Sequence, residues 1–90
     1  MDVFRWNAWN VQHIAEHGTT PADAEYVVRN ARRPYPQLVA RGKWLVRGPT
    51  ATGQLVQVMY IFDPADTGYI IHARSLTDRE KRRYRRRKRR

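Results

Sequence analysis

A chain of 90 residues, of which 41% are hydrophobic, has the size of one small domain, and so short a chain buries only about 60–65% of its unfolded surface on folding. The absence of cysteine excludes a disulfide framework and a thiolate zinc site. No apolar run approaches the roughly 20 residues that span a bilayer, and the start, MDVFRWNAWN, lacks the basic-then-apolar layout of a signal peptide. The sequence therefore predicts a soluble, cytoplasmic protein without a membrane partner.

The net charge of +10 is concentrated at one end of the chain. Residues 1–78 contain eight Lys and Arg against seven Asp and Glu, whereas residues 79–90 contain ten cations and Glu80 alone. Such asymmetry indicates an anionic partner, most often nucleic acid, with an acidic membrane surface or an acidic protein as the lesser alternatives. A run of charge is by itself only a weak indication of catalysis.

Two helices are predicted in the first third of the chain. Apolar and aromatic residues recur at helical spacing in WNAWNVQHIAEHG, which predicts a helix from about Asn7 to His17 that Gly18 ends. In TTPADAEYVVRN, the hydroxyl of Thr20 can cap a second helix, and the proline that follows suits the first helical position. We expect this helix to span Pro21–Asn30.

The middle of the chain changes to a strand pattern. Pro34 and Pro36 exclude a helix, and LVARGKWLVRG then suggests two short extended segments or a hairpin across residues 41–42. The stretch QLVQVMYIFD is nearly continuous in β-branched and aromatic residues, as expected of a central strand covered on both faces.

A further strand, GYIIHAR, leads into the cationic end of the chain. Regular alternation would place Ile70, His72 and Arg74 on one face of this strand and residues 69, 71 and 73 on the other. Thr77 and Glu80 have the spacing of a capping box, so the basic segment begins as a helix.

These elements predict an α+β fold with two N-terminal helices, a small antiparallel sheet of three to four strands and a C-terminal helix. Residues 1–84 form the single domain in this interpretation. Residues 85–90 form a basic, partly frayed arm, because like charges at i and i+4 repel one another along a helix.

The order of motifs resembles that of the BrnT-type toxins. The resemblance depends on W-N-x-x-H-I-x-E-H-G near the N-terminus, T-P-A-D-A-E in the second helix, a glycine-turned hairpin in residues 43–62 and Y-I-I-H-A-R-S-L-T-D-R-E-K-R-R-Y at the end. Its most specific part is A-R-x-x-T-x-x-E-x-x-x-Y, residues 73–84. It implies a RelE-like α+β fold and metal-independent ribonuclease activity that inhibits translation. It also implies neutralisation by a cognate antitoxin that represses the shared operon.

The residue types are consistent with such chemistry. Cleavage of RNA without a metal requires a group that takes the 2′-hydroxyl proton, cations that stabilise the charge on the phosphate, and a group that protonates the leaving oxygen. His72 and Arg74 are about 6.5–7 Å apart along one strand, close enough to bracket a phosphate. The other candidate catalytic residues are Arg47, Tyr84 and His17. The candidate RNA-binding residues are Arg79, Arg82, Arg83, Arg85, Arg86 and Arg87.

Structural alternatives exist for each candidate. His72 can be a half-buried, hydrogen-bonded residue, Arg74 can form an ion pair with Glu80 or Asp78 that holds the last helix, and Tyr84 can close the core. Glu80 is better explained as a cap than as a catalyst.

Metal binding and non-catalytic binding are the other two hypotheses. His13 and His17 at i and i+4 could hold a metal, but no third ligand is evident, so neither a metal nor another cofactor is predicted. The competing function is a non-catalytic nucleic-acid-binding module that uses the cationic helix.

Overall fold

The structure, a computed structural model, describes the backbone of residues 3–88 and the side chains of residues 3–86. Within this part of the chain the elements are β1 (Phe4–Arg5), α1 (Ala8–Ala15), α2 (Pro21–Arg29), β2 (Gln37–Ala40), β3 (Lys43–Pro49), β4 (Leu55–Phe62), β5 (Gly68–Ser75) and α3 (Asp78–Lys88). The predicted α+β class is confirmed.

The described strands form one open, mixed sheet in the order β1-β5-β4-β3-β2. β1 runs parallel to β5, and the other neighbours are antiparallel. The prediction of three to four antiparallel strands was wrong, since residues 3–88 contain five and one pairing is parallel. A two-residue strand such as β1 is too short to produce a periodic pattern in the sequence. Of the two alternatives left open for LVARGKWLVRG, the structure shows the hairpin across residues 41–42. Gly42 takes the positive φ of 72° that glycine accommodates there.

The two N-terminal helices begin at local side-chain caps. The side chain of Asn7 accepts a hydrogen bond from the backbone N–H of Asn10, and the Asn10 side chain accepts one from the backbone N–H of Asn7. Thr20 and Asp23 form the same reciprocal arrangement at α2, as predicted for Thr20. The helix predicted to end at His17 ends at Ala15, because a turn occupies residues 16–18.

The core lies between the two N-terminal helices and one face of the sheet. Its fully buried members come from α1, α2 and the three central strands: Ile14, Ala24, Val27, Val46, Val56, Val58, Tyr60, Ile70 and Ala73. As predicted, β4 is the central strand of this sheet.

A β-bulge in β5 decides which side chains face the core. Met59 pairs with His72 while the next residue of β4 pairs with Ile70, so Ile71 is the extra residue. Consequently Ile70 and Ala73 both enter the core at 0% exposure, and His72 lies on the opposite face. The alternation that placed Ile70 beside His72 was therefore wrong.

The C-terminal helix begins as its sequence indicates. Glu80 accepts a hydrogen bond of 2.9 Å from the backbone N–H of Thr77, and the Thr77 hydroxyl accepts one of 3.2 Å from the backbone N–H of Glu80. The capping box is thus confirmed. The helix continues to Lys88, so the boundary predicted after Tyr84 does not coincide with its end. Fraying of residues 85–90 stays a prediction, and residues 89–90 lie outside the described part.

The buried side chain of Asn10 offers a test of this architecture. Its amide nitrogen donates to the backbone oxygens of Arg5 and Ile70, both at 3.1 Å, which ties α1 to β1 and β5. We expect Asn10→Ala to lower the free energy of unfolding by about 1–3 kcal/mol in urea titrations, because buried acceptors lose their donor. Gln12→Ala on an exposed position of the same helix is the control and should change stability by no more than about 0.5 kcal/mol. Equal effects of the two substitutions would contradict this role of Asn10.

Candidate nucleic-acid interface

The face of the sheet opposite the core has side chains arranged in rows across β3, β4 and β5. Residues that pair across neighbouring antiparallel strands project from the same face. One row consists of Leu45, Met59 and His72, and the next consists of Arg47, Gln57 and Arg74. The second row, called the arginine row below, carries two cations on either side of a buried glutamine.

Glu80 of α3 joins the two arginines of this row. Arg74 binds its carboxylate in a bidentate manner, with Nη1–Oε1 and Nη2–Oε2 distances of 2.7 and 2.9 Å. Arg47 donates to the same carboxylate at 3.1 Å and to the side-chain oxygen of Gln57 at 3.0 Å. The ion pair between Arg74 and Glu80, which the sequence offered as the structural alternative for Arg74, is therefore present.

Both arginines retain donors after these contacts. A guanidinium group has five N–H donors. Among the described residues, Arg74 uses three, two on Glu80 and one on the backbone oxygen of Ser75, and Arg47 uses two. Their side chains are 29% and 18% exposed. One carboxylate between two guanidinium groups leaves this row with a net positive charge and unused N–H groups that can bind a phosphate.

The ion pairs also determine the ionisation of Glu80. The hydrogen bonds from Arg74, followed by the backbone N–H of Thr77 and the charges of Arg74 and Arg47, lower its pKa to about 2, although burial opposes them. The carboxylate is therefore ionised at any physiological pH and acts as a cap and ion-pair partner.

His72 lies next to the arginine row and close to a second histidine. Its ring centroid is 6.0 Å from that of His17, which follows the end of α1. Burial lowers the pKa of His72, and the positive charges of Arg74, His17 and His13 lower it further. At pH 7 His72 is accordingly a half-buried, neutral imidazole that can accept a proton.

A ladder of rings along α1 and the turn after it leads to this histidine pair and was not predicted from the sequence. Trp9 stacks on His13 with centroids 4.9 Å apart, His13 meets His17 edge-on at 6.2 Å, and Trp9 also stacks on Tyr69 at 6.5 Å. Trp9 is 56% exposed, so this end of the ladder lies at the surface. The i, i+4, i+8 spacing of residues 9, 13 and 17 was the signal that could have revealed the ladder.

Tyr84 lies at the other end of the arginine row. It lines a cleft together with Arg47, and its hydroxyl is 3.9 Å from the point where a Cβ on Gly48 would stand. Burial and the neighbouring Tyr35 raise the pKa of Tyr84, so the phenol keeps its proton and can donate it in a hydrogen bond. The predicted catalytic residues therefore follow one another as neighbours along the surface: His17, His72, Arg74, Arg47 and Tyr84.

The predicted RNA-binding residues lie on α3. Those with described side chains are exposed: Arg79, Arg82, Arg83, Arg85 and Arg86. The side chain of Arg87 lies outside the described part. Arg83 also lines a small cleft that includes Tyr84 and Arg47, so α3 continues the positive surface beyond the sheet.

Comparisons with protein-family models, with curated proteins and with solved structures find no match. Across residues 3–88, no three His, Cys, Asp or Glu side chains are grouped in a way that could hold a metal ion. In the same part of the chain, no helix is long and apolar enough to cross a membrane.

The pKa of Glu80 predicts a pH-dependent contribution to stability. Because the folded-state pKa of about 2 lies below the ordinary value of 4.5, the stabilisation is complete above the ordinary pKa and is lost as the pH falls through 4.5 towards 2. We expect wild type to exceed Glu80→Gln by about 1–3 kcal/mol in free energy of unfolding at pH 6, and this difference to shrink at acidic pH in urea titrations. Glu16→Gln removes the same charge from an exposed position and should show a small difference throughout. A difference for Glu80→Gln that stays constant from pH 6 to pH 2 would contradict the assignment.

Proposed function

We propose that the protein is a metal-independent ribonuclease toxin of the BrnT type, with a RelE-like fold, that cleaves RNA and so inhibits translation. The sequence resemblance in residues 9–18, 20–28, 43–62 and 69–84 supports this proposal. The observation that carries it is a neutral His72 beside Arg74 on one face of the sheet, since this combines a proton acceptor with a cation that retains unused donors.

The chemistry that fits these residues is attack of a 2′-hydroxyl on the adjacent phosphorus. His72 takes the 2′-hydroxyl proton, and the remaining N–H groups of Arg74 and Arg47 stabilise the charge on the phosphate oxygens. The bond to the 5′-oxygen breaks, and that oxygen receives a proton from Tyr84 or from His17 in its cationic form. The products are a 2′,3′-cyclic phosphate and a 5′-hydroxyl, so atoms and charges balance without a cofactor.

A cognate antitoxin is the protein partner in this proposal. Residues 79–90 carry ten cations and one carboxylate, and a partner with an acidic surface would neutralise them and cover the arginine row. Repression of the shared operon by the complex and a cytoplasmic location belong to the same proposal.

The second candidate function is non-catalytic binding of nucleic acid through α3. Two observations favour it: the arginines of α3 with described side chains are exposed, and Glu80 already engages Arg74 and Arg47. In this alternative the sheet and the N-terminal helices only support the cationic helix, and binding depends on the number of phosphates neutralised.

Substitution of His72 tests the catalytic proposal. We expect His72→Ala to lower RNA cleavage by purified protein about 10²- to 10⁴-fold, the usual contribution of a positioned general base, and to relieve growth arrest on expression. Wild-type cleavage should fall as the pH drops below the lowered pKa of His72, because protonation removes the acceptor.

His13→Ala is the comparison variant, because it leaves His72 in place and removes only the smallest of the contributions that lower the pKa of His72; it should retain most of the cleavage rate and shift the pH profile slightly. Folding of both variants is checked by circular dichroism. Unchanged cleavage by folded His72→Ala would remove this residue from the mechanism. The absence of any RNA fragment with wild type, combined with strong binding, would favour the non-catalytic alternative.

Removal of residues 85–90 tests the proposed arm. The deletion removes six cations, so RNA affinity should fall, and the slope of log K against log salt should become shallower by about 0.7 for each phosphate that is no longer neutralised. The far-ultraviolet spectrum and the urea midpoint of the remaining chain should change little. Replacing the six residues by glutamine separates the effect of charge from that of length. Loss of folding on deletion would show that the domain extends beyond Tyr84.

A further inference from the structure

A cleft lies between α2, the segment after it, β3 and α3. Its volume is about 400 Å³, within the range of pockets that take small ligands. Its lining combines three tyrosines and three arginines: Tyr26, Tyr35, Tyr84, Arg32, Arg33 and Arg47. No carboxylate among the described residues lines it. Aromatic rings and uncompensated cations together are a surface for a flat, anionic ligand.

The three tyrosines of the cleft differ from the other two in the chain. Tyr69 stacks on Trp9, lies under the guanidinium of Arg5 and donates a hydrogen bond to Asn7, and Tyr60 packs edge-on against Phe62 in the core.

In contrast, within the described part of the chain no aromatic ring stacks on Tyr26, Tyr35 or Tyr84, and none of their hydroxyls forms a hydrogen bond. Tyr26 is 41% exposed, and the other two are half-buried. The three rings therefore line the cleft without an aromatic stacking partner among the described residues.

The cations at the rim of the cleft are also unengaged. Arg32 and Arg33 are exposed, and neither forms an ion pair or a side-chain hydrogen bond with any described residue. Arg47 lies at the inner end, where it belongs to the cleft and also contacts Glu80. A phosphate bound at the rim and a phosphate bound at the arginine row would thus lie at opposite ends of one continuous surface.

We propose that this cleft is a subsite for one unpaired nucleotide of single-stranded RNA, whose base stacks on Tyr26, Tyr35 or Tyr84 and whose phosphate binds Arg32 and Arg33. Stacking on aromatic rings requires a base that is not paired, so the cleft selects single-stranded over double-stranded RNA. The inference rests on the proposed function in taking RNA as the ligand. It adds a binding site with named residues that would hold the RNA strand beside the arginine row.

Binding of a non-cleavable RNA tests this subsite separately from cleavage. The probe is a fluorescent single-stranded oligonucleotide with 2′-O-methyl groups, which lacks the attacking hydroxyl. Tyr26→Ala and Tyr35→Ala should each weaken its binding about 5- to 150-fold, the range that corresponds to the loss of one stacked base. Tyr35→Phe keeps the ring and should bind like wild type. A double-stranded competitor of equal length should displace the probe only weakly.

The arginines have their own matched control. Arg32→Ala should make the salt dependence of log K shallower by about 0.7. Arg41→Ala removes the same charge from the exposed turn between β2 and β3, away from the cleft, and should have a smaller effect on both affinity and slope. Because Tyr35 packs partly against the core, the folding of Tyr35→Ala is checked by circular dichroism. If that variant unfolds, the binding of Tyr26→Ala decides the test, since Tyr26 is exposed.

The outcomes separate this inference from the proposed function. Wild-type cleavage together with unchanged probe binding by Tyr26→Ala and Arg32→Ala would overturn the subsite and leave the ribonuclease proposal standing. Tyrosine-dependent binding of the probe without cleavage of ordinary RNA would support the subsite and reject the ribonuclease. If a glutamate-rich peptide displaces the probe and substitution of the tyrosines leaves RNA affinity unchanged, the subsite is overturned and the cleft is assigned to an acidic protein partner.

Discussion

The carboxylate of Glu80 is the contact on which the arrangement of this surface depends. It bridges Arg47 of β3 and Arg74 of β5 across the central strand, and two guanidinium groups held this close without an anion would repel each other. The same residue closes the capping box with Thr77, so one side chain both starts α3 and attaches it to the sheet. Tyr84 lies one turn further along that helix, and its place in the cleft follows from this attachment.

The energetic value of such a partly exposed ion-pair network is modest, because the desolvation of three charges offsets much of their attraction. Its larger consequence is geometric. Glu80 holds the two arginines in fixed positions while part of their N–H donors stay unused, whereas the arginines of α3 with described side chains are exposed to solvent. The exposed cations of α3 and the arginine row therefore act on an anion over different distances. Exposed cations on α3 attract a polyanion from a distance that salt shortens, and the arginine row acts only on a phosphate that has already arrived.

Sequence patterns were sufficient to predict those features of the fold that depend on contacts between residues a few positions apart. The caps at Thr20 and Thr77, the β2–β3 hairpin and the central position of β4 follow from local chemistry. The pairing of β1 with β5 joins residues more than sixty positions apart, and no local pattern encodes it. The cleft escaped prediction for a similar reason. Of its tyrosines only Tyr84 lies in a recognisable motif, and α2, β3 and α3 meet there only in the folded chain.

Two irregularities of the sheet, a short strand and a bulge, together create the environment of His72. β1 ends at Arg5, so the edge of β5 beyond it lacks a strand partner, and Asn10 of α1 supplies a donor to the backbone oxygen of Ile70 instead. This seats α1 along the edge and brings His17, just past its end, to 6.0 Å from His72. The bulge one residue later turns His72 away from the core side that Ile70 occupies. In a regular strand of the same sequence the imidazole would share the face of Ile70 and enter the apolar core. The extra residue instead lets Ile70 enter the core while His72 stays beside Arg74 on the opposite face, the face that carries the arginine row.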